Sequence, residues 1–195
     1  MRKRTRAAIG SGVFFALAPG VVAGVVPWWL TRWRMQRPVS DLAVIRGVGA
    51  VLLAAGAAAL AVSFARFVIE GIGTPAPVAP TEHLVVGGLY RHVRNPMYLA
   101  VVMAIAGQGL LLWQPVLLVY AAAAWATMAL FAHGYEEPTL RRRFATQYET
   151  YRRAVPAWWP RLRPWSPERN QSDIDVDRDR ARQHASTDRT SRRSG

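Results

Sequence analysis

Two short stretches of this 195-residue chain combine residue types that bind opposite charges. The first is Arg94-Asn95-Pro96. Asparagine is favoured at a helix N-cap and proline at the first helical position, so a helix should begin here. A helix N-terminus offers free backbone N–H groups and partial positive charge, which attract a carboxylate or phosphate. Arg94 adds a second anion contact, and Tyr90 and Tyr98 add aromatic surface that can pack on a base or meet a cation. The second stretch is Glu136-Glu137. Acid at a helix C-terminus opposes the helix dipole, so local stability does not account for the pair. Taken singly, the plainer readings are a well-capped helix and an acidic pair at the water interface.

The elements that must bring these stretches together are legible as apolar runs. No charged residue occurs from Ala7 to Thr31, a length that crosses a hydrocarbon core of roughly 30 Å at about 1.5 Å per residue. Pro19 and Gly20 should kink this run, and Trp28, Trp29 and Trp33 close it as an interfacial belt. A second run lies between Arg46 and Arg66, rich in alanine with Gly47, Gly49 and Gly56, small residues that let helix backbones approach closely in lipid. From Gly71 to Pro80 glycine and proline break regular structure. After Arg94 the next charged group is Glu136, apart from His133. That interval suits two spans, with Trp113-Gln114-Pro115 as the turn, because the residue before a proline avoids the helical region. Spans are therefore expected at about 8–30, 46–66, 96–113 and 116–135. Beyond them Leu140, Phe144, Tyr148, Tyr151 and Val155 share one helical face, which predicts an interfacial amphipathic helix at about 138–155, followed by a tryptophan anchor at Trp158, Trp159 and Trp165. The expected fold class is all-α, an integral membrane bundle of about four spans (domain 1–165) with a disordered polar tail over 166–195.

Composition fits this organisation. Hydrophobic residues make up 51% of the chain and the formal net charge is +13, yet mean hydropathy is only +0.06, because an apolar body is averaged with a polar tail. Lys3 is the only lysine. The arginines lie beside apolar stretches rather than in a folded basic domain, which favours membrane flanks over nucleic-acid binding. The chain has no cysteine, which excludes disulfides, thiolate metal sites and cysteine nucleophiles, and no metal is expected. The amino-terminal basic and apolar sequence imitates a secretory signal, but its length and the lack of a small-x-small cleavage site favour a retained span. With four spans, Arg2, Lys3, Arg4 and Arg6, then Arg91 and Arg94, then Arg141, Arg142 and Arg143 fall on one side, the cytoplasmic one. Both termini would be cytoplasmic and the membrane the plasma (inner) membrane. Arg32, Arg34 and Arg37 run against that assignment.

In such a hairpin the Arg-Asn-Pro and Glu-Glu stretches return to the same membrane face. S-adenosylmethionine, with a carboxylate, an ammonium, a sulfonium and an adenine ring, needs such a mixture of partners, although these residues admit that ligand without singling it out. Leu84-Val85-Val86-Gly87-Gly88-Leu89-Tyr90, Arg94-Asn95-Pro96-Met97-Tyr98, Glu136-Glu137, and then Leu140, Phe144, Tyr148, Tyr151, Val155-Pro156 and Pro160 resemble the isoprenylcysteine carboxyl methyltransferase family and its phospholipid methyltransferase relatives over roughly residues 72–162. The resemblance implies an S-adenosylmethionine-dependent methyltransferase. It implies a cofactor pocket at His83, Leu84, Val85, Tyr90, Asn95, Pro96, Met97, Tyr98, Glu136 and Glu137, with the glutamates holding the cofactor's amino-acid end. It also implies a hydrophobic or lipid-like acceptor entering from the bilayer. Two positions depart from the pattern. Asn95 stands where many members carry histidine, and it cannot act as an acid or base near neutral pH. Phe131 to Tyr135 occupies the stretch where prenylcysteine-type enzymes place an arginine, which leaves His133 and Tyr135 to contact the acceptor. The catalytic candidates are Arg94, Glu137, His133 and Tyr135. The competing readings are a non-catalytic membrane scaffold or transporter accessory protein, and a sterol-type membrane reductase using NADPH. The acceptor and the oligomeric state are not legible in the sequence.

Overall fold

Residues 17–36, 43–70 and 84–166 are described in a computed structural model of the chain. His83 and the polar tail from residue 167 onward lie outside them. The chain divides into two units, Met1–Leu162 and Arg163–Gly195, and everything below concerns the first. Its described residues are all-helical, with no strand. Helix α1 is Leu17–Thr31, α2 is Ala43–Glu70, α3 is Pro96–Leu111, α4 is Pro115–Phe131 and α5 is Glu137–Ala154. By length and apolar composition, α2 and the run Pro115–Ala154 can cross a membrane, while α1 and α3 are shorter apolar helices. The outer surface of these helices is itself apolar: Val44, Val119 and Leu130 are more than two-thirds exposed. Such a surface would associate in water and is matched by lipid chains.

The bundle packs through small residues. Gly49, Gly56 and Ser63 recur at two-turn intervals along one face of α2. A Cβ on Gly49 would lie 2.5 Å from the Leu111 amide nitrogen, and one on Gly107 2.5 Å from that of Leu53. The two backbones thus touch along an antiparallel seam. Against the other side of α3, Val101 and Ile105 meet Leu117, Ala121 and Ala124 of α4 in the main apolar core. The α3–α4 turn forms where expected. Trp113 takes the left-handed conformation at φ 57°, and Gln114 N–H donates back to Gly109 O at 2.8 Å, the long bond of a Schellman motif. Pro115 then opens α4, its missing N–H costing nothing at that position.

Helix α1 bends through a π-turn at Val21–Val25, directly after Pro19 and Gly20. Backbone groups loosened in lipid must find partners within the protein. The Tyr120 hydroxyl donates to Val22 O (3.0 Å) and Gln108 Nε2 to Ala23 O (2.7 Å). At the far end of α1, Gln36 N–H donates to Leu112 O and Gln114 Nε2 to Arg34 O, so this end meets the α3–α4 turn, as alternating helices require. Arg32 stacks on the Trp28 ring at 4.4 Å, which gives one of the unexpected arginines a local partner.

One expectation needs correction. The segment 138–155 was expected as a separate helix, but α4 runs without a break through a π-turn, Ala132–Glu136, into α5. Pro138 does not stop it because it falls in the first turn of α5. The bend comes later, at Ala145 (φ 38°, ψ −115°). Of the predicted face, Tyr148, Tyr151 and Val155, beyond the bend, are buried, while Leu140 and Phe144, before it, are only half-buried.

The seam yields a prediction. Gly107→Leu should separate α2 from α3 and destabilise the fold by about 1–3 kcal/mol. Gly47→Ala, with nothing within 4 Å of the added methyl, should be neutral or stabilising by up to ~1 kcal/mol. Thermal unfolding in detergent measures both.

Candidate functional site

The approach to α3 is shaped before the helix begins. Gly88 sits at φ +55°, a conformation that favours glycine, and a Cβ there would crowd the Arg66 side chain at 3.1 Å. It starts a single 3-10 turn, Gly88–Arg91. Val85, Tyr90 and Met97 pack together against Leu60 and Phe64 of α2, fixing the turn on the bundle.

Arg94 then gathers three distant pieces of chain. Its Nη1 donates to Glu137 Oε1 at 2.8 Å and to the Tyr148 hydroxyl at 3.1 Å, and its Nε donates to Val155 O at 3.0 Å. Both members of the ion pair are largely buried, with side chains 12% and 13% exposed. Glu137 Oε2 lies 3.6 Å from Arg152 Nε and 3.7 Å from His133 Nδ1. The chain after α5 runs back along the entry to α3. Arg94 N–H donates to Pro156 O, Asn95 N–H to Ala157 O and Arg161 N–H to His92 O. The Tyr151 hydroxyl donates to Tyr90 O at 2.6 Å.

Beside this clamp, the Tyr98 hydroxyl donates to Glu136 Oε1 at 2.6 Å. The Tyr98 ring stacks on Trp158 (centroids 6.4 Å apart), and Trp158 meets Trp125 edge-on at 5.9 Å. Glu136 lies past the apolar stretch of α4. Burial raises its carboxyl above the ordinary value, while the Tyr98 hydrogen bond pulls the other way.

The expected site residues therefore separate into groups. Tyr98 with Glu136, and Arg94 with Glu137, come together on one face of the bundle. Val85, Tyr90 and Met97 lie in the supporting apolar cluster, and Pro96 is buried at the start of α3. Leu84 is half-buried ahead of the turn. The Asn95 side chain makes no cap. Its Nδ2 donates instead to Ala157 O at 3.2 Å, a bond that orients the amide toward the returning chain. Nor is Arg94 an open anion contact, since its guanidinium is engaged by protein groups. The His133 side chain is 84% exposed at the edge of the Glu137 cluster. Tyr135 is exposed and stacks on Phe131 at 5.2 Å. The sequence reading did not single out Tyr148 and Tyr151 as clamp residues, nor Trp125 and Trp158 as partners around Tyr98. The three-residue spacing of the tyrosines was the available signal for the first pair. Nothing local marks the second.

The clamp makes a prediction. Arg94→Met leaves the largely buried Glu137 with only its longer contacts to Arg152 and His133, and should cost up to about 3–5 kcal/mol of stability. Adding Glu137→Gln should recover part of that loss. Unfolding of the two variants in detergent reads the difference.

The family model for phospholipid methyltransferase matches residues 44–147, from the start of α2 through Tyr98, Glu136 and Glu137 into α5. No curated protein matches the chain significantly. The matched region is more than half of the chain and contains the Tyr98–Glu136 and Arg94–Glu137 pairs; the chain belongs to the phospholipid methyltransferase family of membrane methyltransferases.

Proposed function

We propose that the chain is a multi-pass, S-adenosylmethionine-dependent methyltransferase acting on a lipid-like or hydrophobic acceptor. The observation that carries this reading is the Tyr98–Glu136 bond at the first turn of α3. There a half-buried carboxylate, a helix N-terminus and two aromatic rings share one place, as the ammonium, carboxylate and adenine of the cofactor require. The residues fit that group. Asn95 is turned toward Ala157, so it does not cover the first-turn N–H groups of Met97 and Tyr98; Pro96 has none, and that of Leu99 donates to Asn95 O. Glu136 holds the ammonium, those N–H groups hold the carboxylate, and Tyr98 with Trp158 covers the base. Leu84, Val85, Tyr90 and Met97 shape the surrounding wall, and His83, outside the described residues, is kept as a cofactor contact on the family resemblance alone. When bound, S-adenosylmethionine supplies an electrophilic methyl group on its sulfonium.

The two glutamates divide the work. Glu137, tied to Arg94, keeps α5 against the entry to α3 and acts as a positioning residue with Arg94. Glu136 touches the ligand. His133 and Tyr135, on the π-turn between α4 and α5, stand where an acceptor from the bilayer arrives. The protein's contribution to rate is in-line placement and exclusion of water. Four spans, with the site and both termini at the cytoplasmic face of the plasma membrane, are favoured by the arginines at 2–6, 91–94 and 141–143 and opposed by Arg32, Arg34 and Arg37. The amphipathic α5 then lies along that interface.

Calorimetry in detergent tests this. The full chain is expected to bind S-adenosylmethionine, and Glu136→Ala and Tyr98→Ala each to weaken binding by about tenfold or more. Because burial raises the Glu136 carboxyl, acidification should weaken binding at a higher pH than an ordinary carboxylate would give. Absence of binding by well-folded protein overturns the reading.

A further inference from the structure

On the other side of α3 from Tyr98 lies a groove of about 380 Å³. Pro96, Leu99, Ala100 and Met103 form its long wall, a stripe of positions that stack on one helix face. At about 100° per residue, Tyr98 lies roughly 150° around the helix from the centre of that stripe. The groove is thus separate from the Tyr98–Glu136 site. Leu89 and Val93 continue its apolar lining, and His92 and Arg161 supply its polar end.

We propose that this groove holds one acyl chain of an anionic glycerophospholipid from the surrounding bilayer, with the lipid phosphate against Arg161. Three observations carry the assignment. First, the polar end is built. His92 Nδ1–H donates to Arg161 O at 2.8 Å, Arg161 N–H donates to His92 O at 2.9 Å, and Arg161 Nη1 donates to Ala154 O at 2.7 Å. The first two bonds hold the Arg161 backbone and the third orients the guanidinium, occupying one of its five N–H donors among the described residues. Second, the groove is oriented for a lipid. Its polar end, at His92 and Arg161, lies level with the chain before α3, and its apolar wall runs from there about 10 Å along the helix. A charged head and an apolar tail match that polarity, and basic residues at a membrane surface attract anionic lipids. Third, the rim is made for a bilayer. Leu162, which lines the groove, is 97% exposed, and nearby Trp159 is 83% exposed. An apolar side chain and an indole projecting there suit the boundary between headgroups and acyl chains. The volume is that of a small-molecule site, too small to seat a partner helix.

The assignment does not rest on the methyltransferase reading, and its test needs no cofactor. The full chain is purified in mixed micelles holding equal amounts of phosphatidylglycerol and phosphatidylcholine, and co-purifying lipid is quantified by native mass spectrometry. Wild type is expected to retain phosphatidylglycerol in preference to phosphatidylcholine. Arg161→Gln should reduce that preference by about tenfold, and Arg161→Lys should preserve most of it. Met103→Trp, which fills the groove, should abolish retention, with Leu99→Phe as the second variant if the first does not fold. Equal retention of the two lipids by wild type overturns the proposal. So does a preference that survives the groove-filling variants, because it would come from surface charge alone.

Discussion

Arg94 carries a charge into a place where little water reaches it. A guanidinium so placed must be surrounded by acceptors, because an unpaired buried charge costs several kcal/mol. The chain meets that demand from three remote points: the Glu137 carboxylate, the Tyr148 hydroxyl and the Val155 carbonyl. Each commits a different segment. Glu137 fixes the start of α5, Tyr148 fixes its second half beyond the bend at Ala145, and Val155 fixes the point where the chain leaves the helix. Once these are set, residues 156–161 can only run back along residues 92–95, and their backbone bonds follow. The entry to α3 is thereby enclosed by chain that lies about sixty residues away in sequence.

The same logic of satisfying polar groups away from water explains the rest of the bundle. Gln108, Gln114 and Tyr120 lie within or beside apolar helices, and each spends its side chain on α1 or the residues just after it. Two of those bonds go to the π-turn of α1. The second π-turn, Ala132–Glu136, lies at the other end of the hairpin and carries the first glutamate. Such turns change the direction in which following side chains point without ending the helix, and they recur at functional sites.

Adjacent positions on a helix point about 100° apart, so Glu136 and Glu137 cannot serve one partner. One meets Tyr98 beside the first turn of α3 and the other meets Arg94 beneath it. A pair that looks redundant in sequence thus has two separate partners. Membership of the phospholipid methyltransferase family gives that arrangement its chemical setting. The stacking of Tyr98, Trp158 and Trp125 gives it a water-poor wall.

The sequence by itself determined what depends on neighbours within a turn or two. The apolar runs, the start of α3 at Pro96, the turn at Trp113-Gln114-Pro115 and the shared face of Tyr148, Tyr151 and Val155 all follow from local sterics, proline geometry and helical period. The meeting of the Asn-Pro and Glu-Glu stretches on one face also followed, because a hairpin of two equal helices returns to its starting side. Only the tertiary structure decided which partner each polar side chain takes. Asn95 is a favourable cap in isolation, yet the returning Ala157 carbonyl claims its amide. Arg94 reads as an open anion contact until Glu137 and Val155 come within reach. The continuity of α4 into α5 was hidden as well, since the apolar pattern ends before Pro138 and a proline is harmless in a helix's first turn. A hydrogen bond is won by whichever acceptor the folded chain brings nearest, and proximity between residues 94 and 155 is a property of the fold and not of any local stretch.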